Sequence, residues 1–168
     1  MPWFVLALTL VTGCGGSSGE PRTVPPVPSA SPSPSPSASL TPEEQVLAAV
    51  RAYYEAVNHA AETGDTTAVL ATTLPNCTCR SLVSYIAGLR AKGQRLRNAR
   101  NELGGMRVTQ VTKDFAVVSV NYLSPAHQVV DAKSGKVLDS FPSKQFQAQV
   151  TVKAVASAWL VAVEREVS

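Results

Sequence analysis

The chain has 168 residues and a formal net charge of +3 at pH 7. Set against a leader and a low-complexity segment, that length leaves one domain of about 125 residues, enough to bury a hydrophobic core. The mild charge does not predict nucleic-acid binding, and no nucleic-acid partner is expected; after the leader no apolar run reaches the roughly twenty residues of a membrane-spanning helix.

Phe4 to Val11 is an apolar run of about eight residues, too short to span a bilayer but suited to a signal-peptide core. It ends in Val11-Thr12-Gly13-Cys14, an aliphatic residue, a small one, Gly and then Cys. This order resembles the lipobox of bacterial lipoproteins. The resemblance implies that residues 1–13 are a cleaved signal peptide, that the Cys14 thiol receives a diacylglyceryl group, and that Cys14 becomes the N-terminus. Two or three acyl chains anchor stably where one is marginal, so the expected location is the extracytoplasmic face of the cell membrane, with the lipid as the contact to the membrane. The alternative is an ordinary cleaved leader with an incidental Cys. Met1-Pro2-Trp3 departs from the lipoprotein pattern in carrying no Lys or Arg.

Residues 14–40 comprise that Cys and a segment of mostly Gly, Ser, Pro, Ala and Val, with a Ser-Pro repeat from Ser31 to Pro36. Such a segment has too little apolar surface to offset its ordering entropy. It is expected to be a disordered tether, reaching about 80 Å in the polyproline limit and about 30 Å as a coil. A proline-rich ligand for a partner is the alternative.

The folded domain is expected over residues 41–168. Thr41-Pro42-Glu43-Glu44 is a helix start: Thr41 caps, Pro42 suits the first helical position and Glu44 completes a capping box. Val46, Leu47, Val50, Tyr53, Tyr54, Val57 and Ala61 then recur at spacings of three and four, giving one apolar face. Gly64 stops this helix, and Asp65 or Thr66 caps a short second one that Leu74-Pro75 closes. A third runs from about Arg80 to Lys92, with Leu82, Val83, Ile86 and Leu89 inward and Gly93 as its stop.

Beyond Gly93 the period changes to two. Met106 to Val111 and Phe115 to Tyr122 read as a hairpin, and His127 to Val130 and Lys136 to Phe141 bracket an Asp131-to-Gly135 turn. Phe146, Ala148, Val150, Val152 and Ala154 alternate with polar residues, and Ser157 opens a last strand from which Glu164-Arg165-Glu166 emerges. Arg95 to Leu103 fits neither period and is open between a first edge strand and a loop.

Helices followed by meandering antiparallel strands make an α+β fold: three N-terminal helices packed on one curved antiparallel sheet. The long helix with its Tyr pair, the Glu62-to-Thr66 break, two further helices and strands ending in Trp159-Leu160-Val161 resemble the nuclear transport factor 2-like (cystatin-like) cone over Pro42 to Val167. With the lipobox, the Pro/Ser tether and a Cys pair after the second helix, the chain is similar to actinobacterial lipoproteins that carry this cone as a domain of unknown function. The resemblance implies a cavity or open sheet face that takes a small ligand or a protein partner of the cell envelope. Its enzymes, the ketosteroid isomerase-like and polyketide cyclase-like ones, place a general base on the pocket face.

No such base is evident. Asp114, Asp131 and Asp139 fall in or beside turns, Glu55 and Glu62 on the polar side of the first helix; His59 is expected in solvent and His127 at a strand entrance. A binding pocket is the better expectation, with Tyr53, Tyr54, Asn121, Tyr122 and Trp159 as its lining, though they also suit a core. With Cys14 lipidated, Cys77 and Cys79 make an even number in an oxidising compartment, and a disulfide pinning their loop is expected, a redox-active dithiol being the alternative. Two Cys without His at finger spacing make no zinc site, and no metal or cofactor is expected. Arg90, Lys92, Arg95, Arg97, Arg100 and Arg107 form a basic stretch that is either a solvated face or a contact for anionic headgroups or wall polymers. Two functions therefore stand: a non-enzymatic membrane lipoprotein whose cone binds a ligand or partner, and a cone enzyme using His127 or a carboxyl not visible in the pattern.

Overall fold

Thr41 starts the fold in the way its side chain allows. In the computed structural model, which describes residues 40–167, α1 spans Pro42–Thr63; the expected signal peptide, the expected lipidation at Cys14 and the expected tether up to residue 39 lie outside the described residues. Thr41 Oγ1 accepts from the Glu44 amide at 3.3 Å, and the Glu44 carboxylate accepts from the Thr41 amide at 2.7 Å. That reciprocal pair is the capping box. Gly64 closes the helix at φ 77°, and a Cβ there would lie 2.8 Å from Arg90 Cδ.

The second helix, α2, spans Thr67–Thr72. Asp65 supplies its cap, Oδ1 accepting from the Thr67 amide at 2.9 Å, while the Thr66 side chain makes no cap bond. A 3-10 turn at Thr78–Arg80 leads into α3, Ser81–Ala91. Arg80 reaches back from this turn. Its guanidinium donates to the carbonyl oxygens of Leu70 and Thr73 and to Thr73 Oγ1, at 3.0–3.1 Å, satisfying the open end of α2.

Seven antiparallel strands follow: β1 Gln94–Arg97, β2 Glu102–Val111, β3 Phe115–Ser124, β4 His127–Asp131, β5 Val137–Phe141, β6 Lys144–Val155 and β7 Ala158–Glu166. The α+β architecture agrees with the sequence, but the single sheet does not. Hydrogen bonding divides the strands into a four-stranded sheet, β2-β3-β6-β7, and a three-stranded one, β1-β4-β5. The break runs across three strand pairs. Ser124 pairs with Lys144 and His127 with Phe141, so the β3–β6 ladder resumes as β4–β5 only after Pro125 and Pro142. Neither proline has an N–H to give the ladder. In the neighbouring strand the same line falls at residues 98–101, where Asn98 has φ 60°. This is why Arg95 to Leu103 matches no single period: it is the end of one strand, a left-handed bend and the start of another.

The apolar face of α1 covers the inner face of the four-stranded sheet. Val46 and Val50 pack into one buried cluster with Val118, Val120, Val150 and Val152, each fully buried valine stabilising the fold by about 1.5–2 kcal/mol before entropy is counted. A smaller cluster of Ala61, Leu89, Leu96 and Val129 joins α1 and α3 to the three-stranded sheet. Val161 and Ala162 are consecutive yet both buried, because the register slips opposite Thr151 and Val152. The outer edge of β7 is covered where the Leu74 amide donates to the Val161 carbonyl at 2.8 Å.

Candidate functional site

Two consecutive tyrosines on α1 and one carboxylate on β7 form the centre of the site. Tyr53 Oη donates to Glu164 Oε2 at 2.6 Å, and Tyr54 Oη donates to Glu164 Oε1 at 2.7 Å. Both tyrosines are 2% exposed. Burial first, and then the negative charge of Glu164, push both phenols well above their ordinary pKa. Tyr122 on β3 is raised in the same way, by burial and then by Glu164 and Glu166. The rings continue as a ladder: Tyr53 to Tyr54 at 5.2 Å, Tyr54 to Tyr122 at 5.4 Å, Tyr122 to Phe146 at 5.1 Å. Lys144 Nζ closes its outer end, 4.4 Å above the Phe146 ring.

A cleft of about 400 Å³ opens beside this group. Tyr53, Tyr54 and Val57 form its α1 wall, Thr78, Cys79, Ser81 and Leu82 a second, and Glu164 and Glu166 a third, with Tyr122 and Asn101 completing it. Glu164 corrects the sequence reading. That reading had Glu164-Arg165-Glu166 leaving the fold together, whereas alternation along β7 sets Glu164 opposite Val150 and Glu166 opposite Ala148, on the inner face, with Arg165 outward opposite Gln149. A signal was available: two tyrosines on the apolar side of a helix need acceptors for their hydroxyls, and a polar residue on a facing strand can supply them.

The expected pocket residues are divided. Tyr53, Tyr54 and Tyr122 meet in the cleft. Asn121 is exposed on the opposite face of β3 and lines a wider groove of about 600 Å³ with Gln145 and Gln147. Trp159 is half-buried against the main core and takes no part in the cleft. Cys77 and Cys79 are a close, buried pair with Cα atoms 5.1 Å apart, and Cys79 borders the cleft.

The histidines stand apart from Glu164. His59 is exposed. His127 stacks on Phe141 at 4.9 Å, with Nδ1 3.0 Å from the Pro125 carbonyl, and lines a separate recess of about 160 Å³. Asp131 serves its turn, accepting from the Ser134 amide at 2.7 Å, a bond that holds its carboxyl below the usual range.

Half of the basic stretch is occupied. Arg90 donates to the Gly64 carbonyl at 2.9 Å and Arg97 to the Gln128 amide oxygen. Arg100 bridges Glu55 at 2.8 Å and Glu62 at 3.6 Å. Lys92, Arg95 and Arg107 are exposed, Arg107 on β2 opposite Ser119. Among the described residues, no three His, Cys, Asp or Glu side chains converge as a metal site, and no helix is long and apolar enough to cross a membrane.

No protein-family model matches the sequence, and no curated protein is significantly similar to it. Solved structures are similar in fold. The intermembrane-space region of the chloroplast protein ARC6 superposes with a TM-score of 0.55 at 12% identity, covering 77% of this chain and 99% of its own. A protein from Streptomyces avermitilis, provisionally named a dehydratase of the nuclear transport factor 2-like family, gives 0.50 at 18% identity over 73% of this chain and 93% of its own. The fold is the nuclear transport factor 2-like cone. A provisionally named aromatic ring hydroxylase from Novosphingobium aromaticivorans adds 0.52 at 16% identity, over 76% of this chain and 90% of its own. At such identities the likeness reaches the cone and stops short of the site.

The cone thus holds a carboxylate whose two oxygens are both fixed by buried donors, at the edge of a small cleft.

Proposed function

We propose that the chain is a lipoprotein on the extracytoplasmic face of the cell membrane, anchored through acylated Cys14, whose cone binds a small ligand in the cleft beside Glu164. The cleft carries this reading: its volume of about 400 Å³ lies in the range of small-molecule sites, and its polar groups converge on one carboxylate held by Tyr53 and Tyr54. The anchor is supported by the Val11-to-Cys14 pattern and the Pro/Ser segment after it.

Two measurements test the halves separately. Ligand-observed NMR of the full chain against a small-molecule library is expected to return binders that Glu164→Gln weakens; a library with no binder sensitive to that change would sink the cleft reading. Phase partition and intact mass of the native protein are expected to give a hydrophobic species beginning at Cys14, and Cys14→Ser to release it. A water-soluble species with unmodified Cys14 would remove the anchor.

A second reading is favoured by the same carboxylate. A carboxyl at the edge of a cleft is where a cone enzyme would keep its base. Both Glu164 oxygens already accept hydroxyl hydrogens, from Tyr53 and Tyr54, so a base role would require one of these bonds to give way to the substrate. Under the enzyme reading, Glu164→Gln abolishes turnover and leaves binding intact; under the binding reading it lowers affinity.

A further inference from the structure

We infer that the ligand of this cleft is a small organic cation, an alkylammonium or quaternary ammonium group seated between the Glu164 and Glu166 carboxylates and the ring of Tyr122. The inference rests on the cleft reading above and names its chemistry. Of the charged side chains that line the cleft, both are carboxylates, Glu164 and Glu166, and no Lys, Arg or His lines it. Neither carboxylate has a basic partner within ion-pair distance among the described residues, where Arg100 makes the ion pairs, with Glu55 and Glu62. Glu164 is held by two neutral hydroxyls, which orient its charge without cancelling it. A half-buried negative charge without a counter-charge draws in cations and repels anions, and the low-dielectric walls concentrate that field.

The walls fit the same chemistry. Tyr122, half-buried, brings its aromatic ring to the lining, while Tyr53 and Tyr54, each 2% exposed, border it chiefly through the hydroxyls that hold Glu164. An ammonium group gains from an aromatic ring by cation–π attraction and from a carboxylate by charge, whereas a neutral molecule of the same shape gains only from burial. A free amine and the amine of a lipid headgroup share this chemistry, and the tether permits either.

The test is calorimetric titration of the full chain in maltoside micelles with choline and n-butylammonium, set against 3,3-dimethyl-1-butanol, n-butanol and butyrate. Choline and the first alcohol differ by one charged nitrogen in place of carbon. Choline is expected to bind at least about tenfold more tightly than that alcohol and to lose about tenfold on Glu164→Gln. Should Glu164→Gln not fold, as circular dichroism will show, Glu166→Gln on the exposed rim is expected to weaken choline by a smaller factor. Displacement of choline by short-chain phosphatidylcholine assigns the cation to a lipid headgroup; lack of displacement assigns it to a free amine, and either supports the inference. Equal binding of the alcohol, or preference for butyrate, overturns the cation while leaving the cleft as a ligand site. Binding by none of the five overturns it too, and the library screen then decides the cleft reading independently.

Discussion

Asn58 and Asn101 exchange two hydrogen bonds across 43 residues: Asn58 Nδ2 donates to the Asn101 carbonyl at 3.0 Å, and the Asn101 amide donates to Asn58 Oδ1 at 2.8 Å. The amide side chain on α1 thereby occupies the place of a strand partner where β1 has ended and β2 has not begun. Asn101 also lines the cleft, so this pair fixes one wall of the site to the helix that bears Tyr53 and Tyr54.

Replacing Asn58, which is 2% exposed, with Leu leaves a backbone donor and acceptor of the bend without partners. The expected loss is about 2–4 kcal/mol, the sum of two unmet polar groups and an ill-fitting side chain. Urea unfolding of the variant is the measurement. A midpoint within error of the parent would mean that water satisfies the bend and that Asn58 does not hold the wall.

High pH should unfold this protein through its tyrosines. Tyr53, Tyr54 and Tyr122 are raised above the ordinary value by burial and then by Glu164, and Tyr85 by burial and then by Asp139. A group with a raised folded pKa contributes its stability fully below the unfolded value and loses it as pH rises beyond that value. The window therefore opens near pH 10, where unfolded tyrosine ionises, and stability should fall by about 1 kcal/mol or more per further pH unit. Urea midpoints at about pH 8 and about pH 11, read beside tyrosinate absorbance, decide it. Equal midpoints with free tyrosinate in the folded state would show that the Glu164 hydroxyl bonds do not persist in solution.

Gly64 is constrained twice, by φ 77° and by Arg90 Cδ at 2.8 Å from any Cβ. Gly64→Ala should cost about 1–2 kcal/mol, because the left-handed backbone is strained and the Arg90 stem must move away from the carbonyl it caps. Arg90→Ala, which removes that bond at an exposed position, should cost less. If the double variant recovers part of the Gly64→Ala loss, the clash with Arg90 is real; strict additivity assigns the cost to the backbone alone.

Where the residues themselves signal a boundary, the fold could be read from sequence. Thr41, Gly64, Gly93 and the Asp131-to-Gly135 turn sit where their side chains or positive φ angles require, and the alternation in β6 places Ala148, Val150 and Val152 inward. The division of the sheet was not legible, because Pro125 and Pro142 act only when their two strands pair. The site was half legible. The Tyr pair stood on the apolar face of α1, but Glu164 lies some 110 residues later on a strand whose bulge shifts the facing of every residue after it. Composition cannot show such a meeting; topology makes it.

Cys77 and Cys79 give the last test, since their chemistry decides how firmly the second wall of the cleft is held. Both are buried, 5% and 7% exposed, and Arg80 next to them already ties the same turn to α2. The native chain is expected to be lighter by two hydrogens than the reduced one on intact-mass analysis. Because the ring closed by two cysteines so close in sequence is small, it constrains the unfolded chain little, and reduction should lower stability only modestly, below the roughly 2–4 kcal/mol of longer loops. The larger effect should fall on the site, where freeing the thiols loosens Cys79 at the edge of the cleft. Choline affinity measured with and without reductant reads this directly. A full two-hydrogen deficit with affinity unchanged on reduction would confine the pair to the core, and an undiminished mass in the native chain would mean that the thiols pack there unbonded.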